Sequence, residues 1–313
     1  MKIILRFVLF ICTSVISTVL FSQHIQQPYL VILGTLQDAG SPHMGCKKKC
    51  CELLFDKPIA SRKVVSVGIV DPEAKKTWII EATPDFPTQA KILNRDISFD
   101  HQEMPDGIFL SHAHIGHYAG LMYLGKESIN SKNVPVYAMT RMKGFLIKNG
   151  PWNQLVNIHN IQIKNIDNEQ KFKLSKNICI IPFLVPHRDE FSETVGFKIM
   201  GPNKAILFIP DIDKWNIWNK EIIAEIKKCD LALIDGTFYD QAEVNYRDIS
   251  QIPHPFVIET MKHFSNEETK TKSKISFIHL NHTNPLLNSE SKEHQTVINN
   301  GFKVAKFNQK INL

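Results

Sequence analysis

Beyond its first two dozen residues the 313-residue chain has no apolar run long enough to span a bilayer, no low-complexity tract and no internal repeat. Collagen-like and coiled-coil patterns are also missing, which excludes a fibrous protein. Charged residues are only 22% of the chain, and the net charge of +6 is spread thinly. Lysines alternate with acids, as from Glu267 to Lys274, and form no basic stripe with interleaved aromatics, so no nucleic-acid partner is expected. What is present, 43% hydrophobic residues and no long linker, suits one large globular domain with a substantial core.

Lys2 and Arg6 precede an uncharged apolar stretch from Phe7 to Phe21, the pattern of an export signal. The expected organisation is a signal peptide at 1–23 and one domain at 24–313. A retained anchor is the alternative, because Leu20 fits poorly three positions before a cut after Ser22. Removal of Lys2 and Arg6 leaves a net charge of 6 − 2 = +4. Ile11 before Cys12 is not the small residue that lipoprotein processing wants. The expectation is an exported, periplasmic protein with no stable membrane anchor after cleavage.

Cysteine is scarce, six in all, and five lie beyond the signal. Cys179 and Cys229 sit among apolar residues and read as small buried hydrophobes. Cys46, Cys50 and Cys51 cluster on a loop marked by Gly40, Pro42 and Gly45. Adjacent Cys50 and Cys51 bond each other only with strain, whereas three thiolates and a distant histidine such as His294 would make a closed tetrahedral structural zinc site, remote from any chemistry. A disulfide using Cys46 carries equal weight in a compartment that permits one.

Strand-like apolar, β-branched runs occur at 29–34, 64–70, 77–80, 107–110, 134–138, 178–185, 195–199, 205–209, 231–234, 275–278 and 302–307. Between them lie helix candidates at 84–93, 116–124, 140–149, 213–228 and 256–263, with Thr83 and Asp213 as N-caps. This order predicts a mixed α+β domain.

Ligand-type residues recur where these strands end. Ser111-His112-Ala113-His114-Ile115-Gly116-His117 follows the run 107–110 and puts three histidines within six residues, in a chain with 13. His187, Asp211 and His279 follow three other strands. Loops leaving one edge of a sheet can face a common cleft, so four loops could supply one zinc or iron site.

At these residues the chain resembles the metallo-β-lactamase fold superfamily. The resemblance rests on HAHIGH at 112–117 against HxHxDH, then VPH ending at His187, FIPD ending at Asp211 and FIHL containing His279. GTLQDAGSPHMGC at 34–46, DGTF at 235–238 and HLNHTNPLL with GFKVA at 279–305 are similar to the pyrroloquinoline quinone biosynthesis protein B branch. The resemblance implies a four-layer αββα sandwich with metals in the cleft between two sheets. It implies His112, His114, His187 and Asp211 around a first metal, and His117, His279 and a shared Asp211 around a second.

Gly116 departs from the pattern, because the superfamily has aspartate there. The second position is therefore expected to be weak, with His282 as a candidate substitute ligand, and Gly116→Asp is expected to raise its occupancy. One or two zinc ions per chain are expected, iron being the alternative metal. A Lewis-acidic cation lowers the pKa of bound water towards about 7, which makes hydroxide available for hydrolysis. Asp211 would orient that water, and His282, His254 between Pro253 and Pro255, or Asp213 would protonate the leaving group. The favoured function is an exported metal-dependent hydrolase acting on an ester, amide or phosphodiester bond of a small-molecule substrate. The alternatives are an iron-dependent oxidative enzyme of cofactor biosynthesis and a non-enzymatic binding protein with a decayed site.

Overall fold

The computed structural model describes residues 27–95, 97–244 and 248–313; the expected signal at 1–23 lies outside the described residues. The described strands form two seven-stranded sheets. In the first, β1 (Tyr29–Gly34), β2 (Ser66–Asp71) and β3 (Lys76–Ile80) pair antiparallel, and β4 (Gly107–Phe109), β5 (Val134–Ala138) and β6 (Ile161–Asn165) continue parallel from β3. In the second, β7 (Phe172–Lys173), β8 (Cys179–Leu184) and β9 (Val195–Met200) run antiparallel into β10 (Ala205–Ile209). There β11 (Leu231–Asp235), β12 (Ile275–Ile278) and β13 (Lys303–Val304) continue parallel, while β14 (Lys310–Asn312) returns to the free edge of β1 in the first sheet.

Both faces of each sheet are covered, which is why the strands read as continuous apolar runs rather than alternating ones. Leu30 and Ile32 of β1 meet Phe197, Phe208 and Leu233 of the other sheet, while Val31 and Leu33 pack outward with Phe86 and Leu93 of the helix Phe86–Arg95. On the far side, Leu207, Ile209 and Ile234 pack on Val257 and Val297 from the helices Val257–His263 and Lys292–Asn299. The result is the expected αββα sandwich. Among the described residues no helix is long and apolar enough to cross a membrane.

Three expectations change. The last predicted strand shrinks to β13, and β6, β7 and β14, with few apolar residues, are additional. The helix expected from Asp213 is confined to Ile222–Lys227, and Glu221, not Asp213, caps it by accepting the Ala224 N–H at 2.9 Å. Two buried tryptophans divert the intervening segment: the Trp215 indole donates to Thr260 Oγ1 and the Trp218 indole to the Leu184 carbonyl.

Strand direction positions the site. β1, β3 and β4 point one way in the first sheet, and β8, β10, β11 and β12 share a direction in the second. Paired bridges from Leu36 to Val64 and to Leu280 join the two sheets at the carboxyl ends of these strands. Ligands of open sheets collect at such an edge.

Candidate metal centre

β4 ends at Phe109, and the Ser111–His114 loop that follows feeds the short helix Ile115–Tyr118. His112 Nε2 lies 2.9 Å from His114 Nδ1. His187, after β8, brings Nε2 to 3.2 Å from Asp211 Oδ1, and Asp211, after β10, places Oδ2 3.4 Å from His112 Nε2. The ligand atoms of these four residues lie within 4.8 Å of one another. Donors held 2.0–2.2 Å from a zinc ion sit roughly 3–3.6 Å apart, so the spacing fits a small cation. Both His187 ring nitrogens and Asp211 Oδ1 are buried without a hydrogen-bond partner. Leaving such groups unpaired costs on the order of 1–3 kcal/mol each, which a bound cation would recover at Nε2 and Oδ1.

A second set, Asp38, His117, Asp211 and His279, meets the same 4.8 Å limit. Asp38 Oδ1 is 2.9 Å from His117 Nε2 and 3.2 Å from His279 Nε2, and each of those nitrogens is 3.8 Å from Asp211 Oδ2. The outward ring nitrogens are held from behind, which orients imidazoles for a metal. Ser111 Oγ is 2.8 Å from His112 Nδ1, Thr237 Oγ1 is 2.7 Å from His279 Nδ1, and Glu190 reaches His114 Nε2 at 3.3 Å. Glu81, fully buried at a positive φ of 78°, stands 3.5 Å from His117 Nδ1.

Electrostatics divide the histidines. Burial and the neighbouring His117 hold His112 well below the usual range, and burial lowers His114, so both are neutral ligands. Burial works the same way on His117, but the Asp38 and Glu81 carboxylates overcome it and raise that ring well above its ordinary value. Burial opposes ionisation of Asp38 and Asp211, yet the surrounding imidazoles keep both carboxyls well below the carboxylate range.

His254, expected in the cleft, is placed beside it. Its Nδ1 is 2.8 Å from Asp235 Oδ2 and 3.2 Å from Asp211 Oδ1, and its ring stands 5.4 Å from that of His187. Burial would lower its pKa, but Asp235 and Asp211 push it up to about 9. Thr237 Oγ1 donates to Asp235 Oδ1 at 2.7 Å, which ties His254 and His279 to one hydroxyl.

The cysteines pair with a different histidine from the one expected. His294 sits buried on the helix Lys292–Asn299 with Nδ1 3.0 Å from the Leu286 carbonyl, and it is not among the thiols. His282 takes the fourth place: its Nδ1 is 3.7 Å from Cys50 Sγ and 3.6 Å from Cys51 Sγ, while Cys46 and Cys50 sulfurs are 3.7 Å apart. A tetrahedral zinc with sulfur at about 2.3 Å has sulfur–sulfur edges of about 3.8 Å, whereas a disulfide needs about 2.05 Å. The thiols are free and spaced for a cation in this structure. Burial and the adjoining thiols push Cys50 up to about 12, a penalty on its thiolate form that a bound cation would offset. Burial beside His43 and Lys48 brings His282 down to about 4, which suits a neutral ligand among the thiols better than the proton donor expected of it. The cluster is not remote either, since the loop after β1 carries both Asp38 and the cysteines and the segment after β12 carries both His279 and His282.

Sequence reasoning passed over Asp38, Glu81, Asp235 and Thr237. Asp38, Asp235 and Thr237 lie inside GTLQDAGSPHMGC and DGTF, so their signal was present as resemblance without an assigned role. Glu81 had no signal beyond its position at the end of β3.

Comparison with known proteins agrees with this architecture. Residues 77–295, well over half the chain, match the beta-lactamase superfamily domain. Coenzyme PQQ synthesis protein B of Acinetobacter baumannii (strain ACICU) is 22% identical over 304 residues, covering 88% of this chain and 97% of the relative. Among solved structures, Zn(2+)-bound PqqB from Methylobacterium extorquens superposes with a TM-score of 0.75 at 21% identity, covering 91% of this chain and all of the other. A diphosphatase from the PhnP family follows at 0.65 and 18% identity, covering 92% and 98%. The chain therefore belongs to the beta-lactamase superfamily, with the metallo-β-lactamase fold, and is similar along most of its length to coenzyme PQQ synthesis protein B.

Proposed function

We propose that this protein is an exported metal-dependent hydrolase that cleaves an ester, amide or phosphodiester bond of a small molecule. The observation that carries the reading is the convergence of His112, His114, His187 and Asp211, with His187 Nε2 and Asp211 Oδ1 buried 3.2 Å apart and without a hydrogen bond. These four residues would hold the first cation, which when bound supplies Lewis acidity to activate water and polarise the oxygen under attack. Asp211 lies between the two ligand sets and fixes their relative position, since Oδ1 faces His187 and Oδ2 faces His112, His117 and His279. His254 is oriented by Asp235 beside Asp211, where it can hold and deliver a proton to a leaving group. Export rests on Lys2, Arg6 and the apolar stretch from Phe7 to Phe21.

Zinc fits the thiolates, while three imidazoles and a carboxylate also suit iron. Kinship with a PQQ synthesis protein supports an iron-dependent oxidative reading as the second choice. The test is a panel of nitrophenyl esters and phosphodiesters run anaerobically and in air on the metal-replete protein and on His187→Ala. Turnover independent of oxygen and lost in His187→Ala is expected; oxygen consumption with no hydrolysis would favour the oxidative reading.

A further inference from the structure

Gly116 stands where the superfamily motif has aspartate, and read as sequence this absence weakens the second metal position. The geometry points to the opposite. We propose that Asp38 supplies the missing carboxylate from a different loop, so that Asp38, His117, His279 and Asp211 form a complete second cation position, and that residue 116 is glycine because Asp38 occupies its side-chain space. The inference deepens the hydrolase reading and rests on it for chemistry, but metal binding is measured apart from turnover.

Two independent observations carry it. The first is convergence: Asp38 Oδ1 stands 2.9 and 3.2 Å from the Nε2 atoms of His117 and His279, whose outer nitrogens face Glu81 and Thr237. Two imidazoles and two carboxylates make a donor set suited to a divalent transition metal. The second is exclusion: a Cβ on Gly116 would lie 2.5 Å from Asp38 Cα, 2.7 Å from its Cβ and 2.8 Å from its Cγ. Gly116 sits in the helix Ile115–Tyr118 without a positive φ, so the backbone conformation does not call for glycine. Space does. A side chain at 116 and the Asp38 carboxylate are alternatives, which reverses the expectation that Gly116→Asp would raise occupancy.

The local chain explains how Asp38 comes to this place. Leu280 N–H donates to the Thr35 carbonyl at 2.8 Å and Gln37 N–H to the Leu280 carbonyl at 2.9 Å, zipping the loop after β1 onto the segment after β12. A turn then closes from Gly40 N–H to the Gln37 carbonyl at 2.9 Å, with Gly40 at a φ of +69°. Asp38 is thereby fixed one residue beyond the zipper, opposite His279.

The experiment titrates chelator-stripped protein with zinc by calorimetry and counts bound metal by plasma mass spectrometry. Wild type should bind two equivalents in the histidine cleft besides that held by the thiolates. Asp38→Asn should lose one cleft equivalent, weakening it by more than the ~10–100-fold that follows loss of an outer partner. Gly116→Ala should lose the same equivalent although it removes no polar atom, whereas Gly144→Ala, with nothing within 4 Å, should behave as wild type. Retention of both cleft equivalents at wild-type affinity in Asp38→Asn would overturn the proposal, and that isosteric variant serves should Gly116→Ala not fold. Loss of one equivalent in Asp38→Asn, with no substrate turned over by wild type, would leave this proposal standing and remove the hydrolase reading.

Discussion

Replacing Cys50 with serine tests the thiolate cluster as a clamp. Cys50 is central to it, with sulfur contacts of 3.7 Å to Cys46 and 3.9 Å to Cys51 and 3.7 Å to His282 Nδ1. A cation there cross-links the loop after β1 to the segment after β12, beyond the backbone bonds of Thr35 and Gln37 to Leu280 and the Asp38–His279 contact. The span closed, from Gln37 to Cys50, is close to a ring of about 15 residues, and a cross-link over that length contributes about 3 kcal/mol of loop-closure entropy. A domain of this size shifts its melting temperature by roughly 2–4 °C per kcal/mol, so Cys50→Ser should melt about 6–12 °C lower. The assay is calorimetric melting of both proteins with matched metal analysis, repeated after a chelator that strips the cluster. Chelation should lower wild type by more than the variant, which has only its cleft metals to lose. A melting temperature within a degree of wild type, with the cluster metal gone, would refute the clamp.

Two further outcomes follow from the surroundings of the site. Thr237→Val removes the hydroxyl that faces His279 Nδ1 and Asp235 Oδ1, and should weaken binding of the second cleft metal by about 10–100-fold while sparing the first, as read by calorimetric titration; equal loss at both positions would show a general distortion instead. Burial pushes Glu243 from 4.5 up to about 7, so the native state keeps a proton that the unfolded chain releases, and stability should fall as pH rises from about 4.5 to 7 by at most about 1.4 kcal/mol per unit. Urea unfolding of Glu243→Gln should show that slope removed, and parallel profiles for the two proteins would contradict it.

The framework was legible because both faces of the central strands are buried, which leaves runs such as β1 and β10 uninterrupted in the sequence. Strands such as β6, with its exposed and polar residues, carry no such signal. The histidine loop and the strand-end ligands were legible for a different reason: short spacing and a shared edge. Residues that meet only through the third dimension were not. His282 and His294 are both histidines near the carboxyl end, and only the fold decides which one reaches the thiols. Asp38 lies 78 residues before Gly116, so its occupation of that glycine's space follows from strand order, not from any local pattern.

The central claim is that His112, His114, His187 and Asp211 hold a catalytic cation. Its most direct test is the metal content of protein purified without added metal, compared with the His112→Ala/His114→Ala double variant, both checked for folding by circular dichroism. The account predicts that the double variant loses the first cleft metal while the cysteine cluster keeps its own. Unchanged cleft metal in the folded double variant would contradict it.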